Sequence, residues 1–458
     1  MTERVFLIHG WSVESTTTYA ALHHQLDKFS PTDRQQEKKF QIEEIYLGQY
    51  VSLDDNVEVR DLSRGLDSAL TERLENEWDT PFHVITHSTG ALVVRHWLTH
   101  HYVGSKVDGQ PLRNVIFLAG PHFGSRLAHH GRSMVTEVFK GGPTGDRILN
   151  ALELGSDFSW QVADEWFDEA NWRDKGVLPY CLIGDRIPKG LKDRLAAKIL
   201  PAHYEDGSDQ VIRVPAGNLN FQRYVFDLAS SDEPAVYKVE GIAFCSLWKY
   251  VHSGDKDGIL GSIKARTSPA KHQALGLILE CLQVDREAPN GERSYGGVLD
   301  QFAAATIETV AKRKGPFAQL DFRFRDQEGR PVDDYKIVIG YVDAEGHDRP
   351  SGSVTHTHKN KVDPNHFTAL VDLSKLEADV NFYLEFSADP HTPLVGYMNG
   401  RKEFSANQIQ SVLRPNETTQ IDVIVGRVSK GELFRFFAGD DPRLPVRWNR
   451  AGEIESEE

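Results

Sequence analysis

Phe82-His-Val-Ile-Thr-His-Ser-Thr-Gly-Ala-Leu-Val-Val94 is the stretch that decides how this chain is read. A short run rich in apolar residues ends in a cluster of small ones, and the residues that follow carry apolar and aromatic side chains at helical spacing (Leu92, Val93, His96, Trp97). A buried strand, a tight turn and a helix therefore follow one another, with Ser88 at the turn. A serine on such an elbow is lifted clear of the sheet, and its neighbours must be small because helix and strand backbones approach closely there. Thr86 and Gly90 occupy the flanking positions of G-x-S-x-G, Thr86 departing from glycine. The plainer role for Ser88 is a helix N-cap. The strand–turn–helix context favours a nucleophile.

Working outward, apolar runs at Arg4–Ile8, Gln41–Leu47, Asn114–Ala119 and Leu178–Ile183 join Phe82–Thr86 as predicted strands. Most are nearly continuous in Val, Ile, Leu and Phe, as expected of parallel strands covered on both faces. Helical spacing at Val57–Trp78 and Gly90–His100 supplies crossovers between them. The interval from about Ser125 to Gly176 is too long for a simple connection and reads as a helical insertion, or cap (Arg132–Lys140, Asp146–Leu154, Phe158–Asp168). From about Gly315 the pattern switches to period two with frequent turn residues, at Leu320–Phe324, Lys336–Tyr341, His366–Leu373, Phe382–Phe386 and Gln420–Val428. The expected organisation is an α/β catalytic domain over 1–314 with a cap at about 125–176, an antiparallel β-sandwich-like accessory domain over 315–430, and a polar tail over 431–458.

The chain has 458 residues, enough for two or three domains. Its 52 Lys and Arg against 67 Asp and Glu give a formal charge of −15, which argues against general affinity for nucleic acid or anionic membranes. The start, Met1-Thr-Glu-Arg running directly into a strand, lacks the pattern of a secretory signal, and no apolar run approaches the ~20 residues that span a bilayer. Cys181, Cys245 and Cys281 are odd in number and widely spaced, which disfavours a disulfide framework and a zinc ribbon. A cytoplasmic location is the expectation, and export without a signal peptide stays compatible with it.

A serine hydroxyl needs a base to take its proton and a carboxylate to hold that base in the right tautomer. In open α/β sheets of this kind the order along the chain is nucleophile, acid, histidine. Asp209, in a polar turn after the fifth strand, is the leading acid, with Asp185 at the end of that strand as its rival and Asp206 third. His252, in Tyr250-Val-His-Ser-Gly, is the leading base. His203 precedes the acid and stands in the wrong order, and His272 lies in a helical pattern. Strand one ends in His9-Gly10-Trp11 at the carboxyl edge of the sheet, where ligands of open α/β sheets bind. The backbone N–H groups of Trp11 and Thr89 are the expected oxyanion donors, and His9 is expected to brace the turn rather than to move protons.

Taken together, Leu7-Ile-His-Gly-Trp, Val84-Ile-Thr-His-Ser-Thr-Gly, Leu118-Ala-Gly-Pro-His-Phe-Gly-Ser, Gly207-Ser-Asp-Gln-Val and Val251-His-Ser-Gly resemble the lipase branch of the α/β-hydrolase family, including the GPI-inositol-deacylase-like esterases. The resemblance covers about residues 4 to 262. It implies Ser88 as nucleophile, Asp209 as acid, His252 as base, and an inserted cap over the pocket. The β domain lies outside it.

The cap is rich in apolar and aromatic residues (Phe158, Trp160, Trp166, Phe167, Trp172, and Met134 to Phe139), suited either to lining an acyl-chain groove or to packing the cap on the body. Aromatic residues at a lid edge could also meet a lipid surface, making peripheral membrane contact. His356, His358 and His366 sit on or near one strand, but a solvated strand face is favoured over a metal site, and no metal is expected. The acidic residues Asp333, Asp334, Asp343 and Glu345 lack the spacing of a calcium loop. No phosphate loop, dinucleotide fingerprint or zinc-protease motif is present. The sequence therefore predicts a serine ester hydrolase that cleaves acyl esters, best matched to those of lipids, and needs no cofactor. The alternatives are a phospholipase toxin acting on a membrane and a non-catalytic scaffold whose β domain docks an unidentified partner.

Overall fold

The computed structural model describes residues 2–9, 19–29, 39–47, 56–75, 78–130, 145–168, 172–173, 175–186, 205–230, 233–286, 288, 290–291, 293–392 and 395–429. The first eight strands in chain order are β1 (Thr2–Ile8), β2 (Lys39–Ile45), β3 (Phe82–His87), β4 (Leu112–Leu118), β5 (Leu178–Asp185), β6 (Phe221–Asp227), β7 (Ala235–Val239) and β8 (Ala243–Trp248). Six of them form one sheet in the order β2-β1-β3-β4-β5-β8, and every pairing in it is parallel. Alternate residues of each strand feed two separate cores. Phe6, Ile8 and Val84 pack with α2 (Val59–Arg73) and α3 (Gly90–His100) on one face, while Val5, Leu7 and Ile85 pack on the other. That second face is covered by α1 (Leu22–Lys28), by Leu275 and Ile278 of a later helix, and by the Val298 and Phe302 side of another. Burial on both faces explains why these strands read as continuous apolar runs instead of alternating ones.

The insertion between β4 and β5 carries α4 (Asp146–Leu152) and α5 (Asp157–Asp168), followed later in the chain by α6 (Gln273–Leu282) and α7 (Tyr295–Arg313). The helix expected over Arg132–Lys140, with its apolar residues Met134, Val135, Val138 and Phe139, lies wholly outside the described residues. In the described part of the cap the large aromatics pack. Trp160, Trp166 and Trp172 are buried, Phe158 stacks on His96 of α3, and Phe167 meets Phe221 of β6. No helix among the described residues is long and apolar enough to cross a membrane.

After α7 the chain builds β9 (Phe317–Asp326), β10 (Tyr335–Val342), β11 (Asp348–Pro350), β12 (Val354–Lys359), β13 (His366–Asp372), β14 (Asn381–Ala388), β15 (Val395–Tyr397), β16 (Gly400–Phe404), β17 (Thr418–Val425) and β18 (Arg427–Ser429). An antiparallel sheet β11-β10-β14-β16 faces a six-stranded sheet β12-β13-β9-β17-β6-β7 across a core of Leu320, Phe322, Ile421, Val423, Leu384 and Phe386. This is the predicted β-sandwich, with two features that periodicity did not show. Strand β17 runs parallel to both of its neighbours, β9 and β6. The pairing also runs across residue 315, because β6 and β7 come from the segment between Asp209 and His252. The face of the larger sheet turned away from the sandwich core carries Gln319, Asp321, Thr368 and Gln420, all fully buried. Helix α5 lies against this face. Arg223 of β6 and Arg323 of β9 both sit over the Trp160 ring, at 4.7 and 4.4 Å, and Arg223 pairs with Asp164. The described cap thus joins the two sheets' domains. Residues 431–458, expected as a tail, lie outside the described residues.

Candidate active site

Ser88 follows β3 directly and has φ of +56°, a left-handed conformation that costs a non-glycine residue roughly 1–2 kcal/mol. The strain is held from both sides. Ser88 N–H donates to Leu118 O on the neighbouring strand, and Ala91 N–H opening α3 donates to Ser88 O. Gly90 is required by space: a Cβ there would stand 2.4 Å from Thr86 Oγ1 and 3.3 Å from Ile8 O. The threonine that departs from the usual glycine thus fills the room that Gly90 leaves.

His252 Nε2 lies 3.0 Å from Ser88 Oγ, and His252 Nδ1 lies 2.9 Å from Asp209 Oδ2. The other carboxylate oxygen, Asp209 Oδ1, accepts from the backbone N–H groups of Val211 (2.9 Å) and Ile212 (2.7 Å), and His252 N–H donates to Asp209 O. All three residues are buried, Asp209 completely. The structure therefore brings Ser88, Asp209 and His252 into one hydrogen-bonded chain, with the carboxylate's second oxygen committed to backbone donors. Its rotamer is fixed by those bonds.

The rivals are occupied elsewhere. Asp185 forms a buried ion pair with Arg313 of α7, and burial pushes its carboxyl up to about 7 against the pull of that charge. Asp206 is exposed. His272 is the N-cap of α6, its Nδ1 accepting from Leu275 N–H and its Nε2 meeting Ser262 Oγ at 3.0 Å. His203 lies outside the described residues. Trp11, expected as an oxyanion donor, lies outside them too, while Thr89 is the N-cap of α3, among the first-turn N–H groups that have no acceptor within a helix. His9 braces the end of β1: its Nε2 meets Glu44 Oε2 at 3.1 Å, its ring stacks on Tyr46, and burial pushes its pKa down to about 4.

Sequence reasoning missed His87. This imidazole is buried, its Nε2 lies 3.3 Å from His252 O, and its ring centroid is 4.8 Å from that of His252. Burial, and next the neighbouring His252, hold its pKa well below the ordinary histidine value, so it stays neutral beside His252. It also missed Arg95, buried on α3 and donating to His122 O at 3.0 Å, with its guanidinium over Trp166. Position x of the elbow and an arginine on an otherwise apolar helix were the available signals. His356 and His358, read as a solvated face, instead meet Glu205 and Glu153 across the domain junction, at 3.5 and 3.0 Å. No group of three or more His, Cys, Asp or Glu among the described residues is arranged to hold a metal ion.

An all-parallel sheet with crossover helices on both faces and a strained serine elbow at its carboxyl edge define an α/β-hydrolase of the lipase type. Among solved structures the chain is similar to phospholipase PlaB from Legionella pneumophila, at 26% identity over 100% of both chains with a TM-score of 0.82. It is equally similar to the same phospholipase in complex with thio-NAD, at 25% identity, complete coverage of both chains and a TM-score of 0.82. A Bacillus licheniformis lipase in its mature form matches 47% of this chain and 79% of its own at 19% identity, with a TM-score of 0.33. No protein-family model and no curated protein matches the sequence.

Proposed function

We propose that this protein is a serine hydrolase that cleaves the acyl esters of lipids, with phospholipids as the favoured substrate class. The observation that carries the reading is the continuous chain Ser88 Oγ–His252–Asp209 at 3.0 and 2.9 Å, seated on the elbow. Ser88 attacks the ester carbonyl while His252 Nε2 takes its proton. The imidazolium so formed is held by Asp209, and it then protonates the departing alcohol, leaving an acyl-enzyme on Ser88 that water cleaves by the same route in reverse. The N–H groups of Thr89 and Trp11 are assigned to the alkoxide that forms on the carbonyl oxygen, at about 3–4 kcal/mol for each donor. Similarity to a phospholipase over the full length of both chains favours phospholipids over short esters.

The test joins a fluorophosphonate probe to a substrate panel of p-nitrophenyl esters, triglyceride emulsion and phosphatidylcholine or phosphatidylglycerol vesicles. Labelling of the native protein, its loss in Ser88→Ala, and turnover highest on phospholipid support the reading. Turnover that survives Ser88→Ala overturns the nucleophile, since its loss should cost about 10⁶-fold in kcat. Turnover confined to short esters overturns the lipid assignment.

A further inference from the structure

The loop that carries Asp209 is held from the side of the β-sandwich. It is a tight hairpin in which Val214 N–H donates to Gly207 O, Asp209 N–H donates to Ile212 O, and Ser208 bridges Arg213. Hydrogen bonds within the hairpin set its shape but not its place relative to His252. Bonds to neighbouring segments seat it on the hydrolase body, Arg186 N–H donating to Ser208 O, His252 N–H to Asp209 O and Ser125 Oγ to Val211 O, while Arg213 and Glu205, both buried, form a two-pronged ion pair across its base: Nε to Oε2 at 2.9 Å and Nη2 to Oε1 at 2.8 Å. Burial opposes ionisation of Glu205, and the charge and hydrogen bonding of Arg213, joined by the charges of His356 and Arg126, more than offset it. The third arm of the guanidinium, Nη1, reaches Gln319 Oε1 of β9 at 3.5 Å. Gly207, at φ +81°, packs flat on Phe317 at the start of the same strand, where a Cβ would come within 2.9 Å of the ring. The far end of the segment is tied to the loop before β17 and to β17 itself, by Asn218 Nδ2 donating to Asn416 O and Thr418 Oγ1 donating to Pro215 O.

We propose that the β-sandwich domain is part of the catalytic apparatus, and that Arg213, clasped to Glu205 and anchored on Gln319, is a positioning residue that sets Asp209 against His252. A buried guanidinium fork fixes direction as well as charge, which a lysine ammonium does not. A carboxylate displaced by as little as ~1 Å loses its hold on the imidazole, and misplacements of that size cost on the order of 10²-fold in rate. Arg213 and Glu205 are buried beneath the hairpin, so ester binding is expected to be spared. The inference rests on the hydrolase reading above and assigns the accessory domain a role in it.

The experiment is a double-mutant cycle in the full-length protein. Arg213→Lys and Gln319→Leu are each made in the native chain and in Asp209→Asn, and read by ester kcat and KM and by the rate of fluorophosphonate labelling. Arg213→Lys is expected to lower kcat about 10- to 100-fold with KM within about threefold, and Gln319→Leu to act in the same direction more weakly. In the Asp209→Asn background both should cost less than about twofold, because their effect passes through a carboxylate no longer there. Equal losses in both backgrounds, or no loss in the native one, overturn the proposal. Should Arg213→Lys fail to show cooperative melting, Gln319→Leu, which leaves the ion pair intact, decides by the same criterion. Turnover that survives Ser88→Ala would instead sink the hydrolase reading itself. A dead Ser88→Ala with Arg213→Lys and Gln319→Leu at native rates removes only the positioning role.

Discussion

Replacing by asparagine each of the two buried aspartates, Asp185 at the end of β5 and Asp209 beyond it, should give opposite signatures. In Asp209→Asn the amide oxygen can keep the bonds that Oδ1 accepts from Val211 and Ile212, at 2.9 and 2.7 Å, so the hairpin keeps its shape. The amide N–H₂ then faces His252 Nδ1, 2.9 Å from the replaced oxygen. Two donors cannot share that contact, so the imidazole turns to the tautomer with hydrogen on Nε2 and can no longer accept the Ser88 proton. In a triad the wrong tautomer costs ~10⁴ in kcat, about 5.4 kcal/mol at 1.36 kcal/mol per decade. Little stability is lost. Asp185→Asn leaves Arg313 buried without its carboxylate, a change of roughly 3–5 kcal/mol and on the order of 10 °C in apparent melting temperature, with kcat within about tenfold of native. Steady-state hydrolysis of a p-nitrophenyl ester and thermal unfolding of the same preparations measure both quantities. A collapse of kcat in Asp185→Asn with near-native rates in Asp209→Asn refutes the assignment of the acid.

Gly90→Ala should lower kcat by about 10²-fold, since its Cβ would meet Thr86 Oγ1 at 2.4 Å and push the elbow aside. Adding Thr86→Ala should restore part of that loss, and failure of the second change to help would mean that the threonine is not what crowds the turn. Asp321, completely buried, has its carboxyl raised to about 7 by burial, from an ordinary 3.8. The folded protein therefore holds a proton that the unfolded chain has released between those values, and this contribution to stability is lost as pH rises through about 7. Melting temperature measured from pH 5 to pH 8 should fall less steeply in Asp321→Asn than in the native protein, and parallel curves would show that the carboxyl titrates normally. His87→Leu should lower kcat more than His87→Gln, which keeps a donor for His252 O, the orphaned carbonyl costing about 1–3 kcal/mol. Equal rates in the two variants would leave His87 with packing alone.

The catalytic half was legible because its signals are local. Helix α3 begins and ends at Gly90 and His100, as its spacing predicts, and five of the six strands of the parallel sheet were found to within a few residues, its edge strand β8 being missed. Strands β6 and β7 were missed. Their face turned toward α5 carries Arg223, and the β6 position beside it is Gln222; both are buried, and polar residues of this kind in a strand do not give the apolar run that marks a core element. Their partners lie far along the chain: Gln420 and Asp164 for Arg223, Thr419 for the amide N–H of Gln222. His356 and His358 were read as solvated for the same reason, since Glu205 and Glu153 come from another part of the chain.

By itself, then, the sequence determined the elbow at Ser88, the doubly covered parallel sheet and the presence of a second, β-rich body. Each is written in residues within a few positions of one another, through burial on both faces of a strand or the small volumes a tight turn demands. Tertiary structure alone decided which aspartate faces the imidazole. One candidate ends β5 and the other follows it, and the choice is made by Arg313 from α7 pairing with the first and by a hairpin clasped to β9 presenting the second. Bonds between groups separated by 43 and 164 residues, as here between His252 and its two partners, depend on how the whole sheet and its connecting loops come together, and local periodicity holds no record of that.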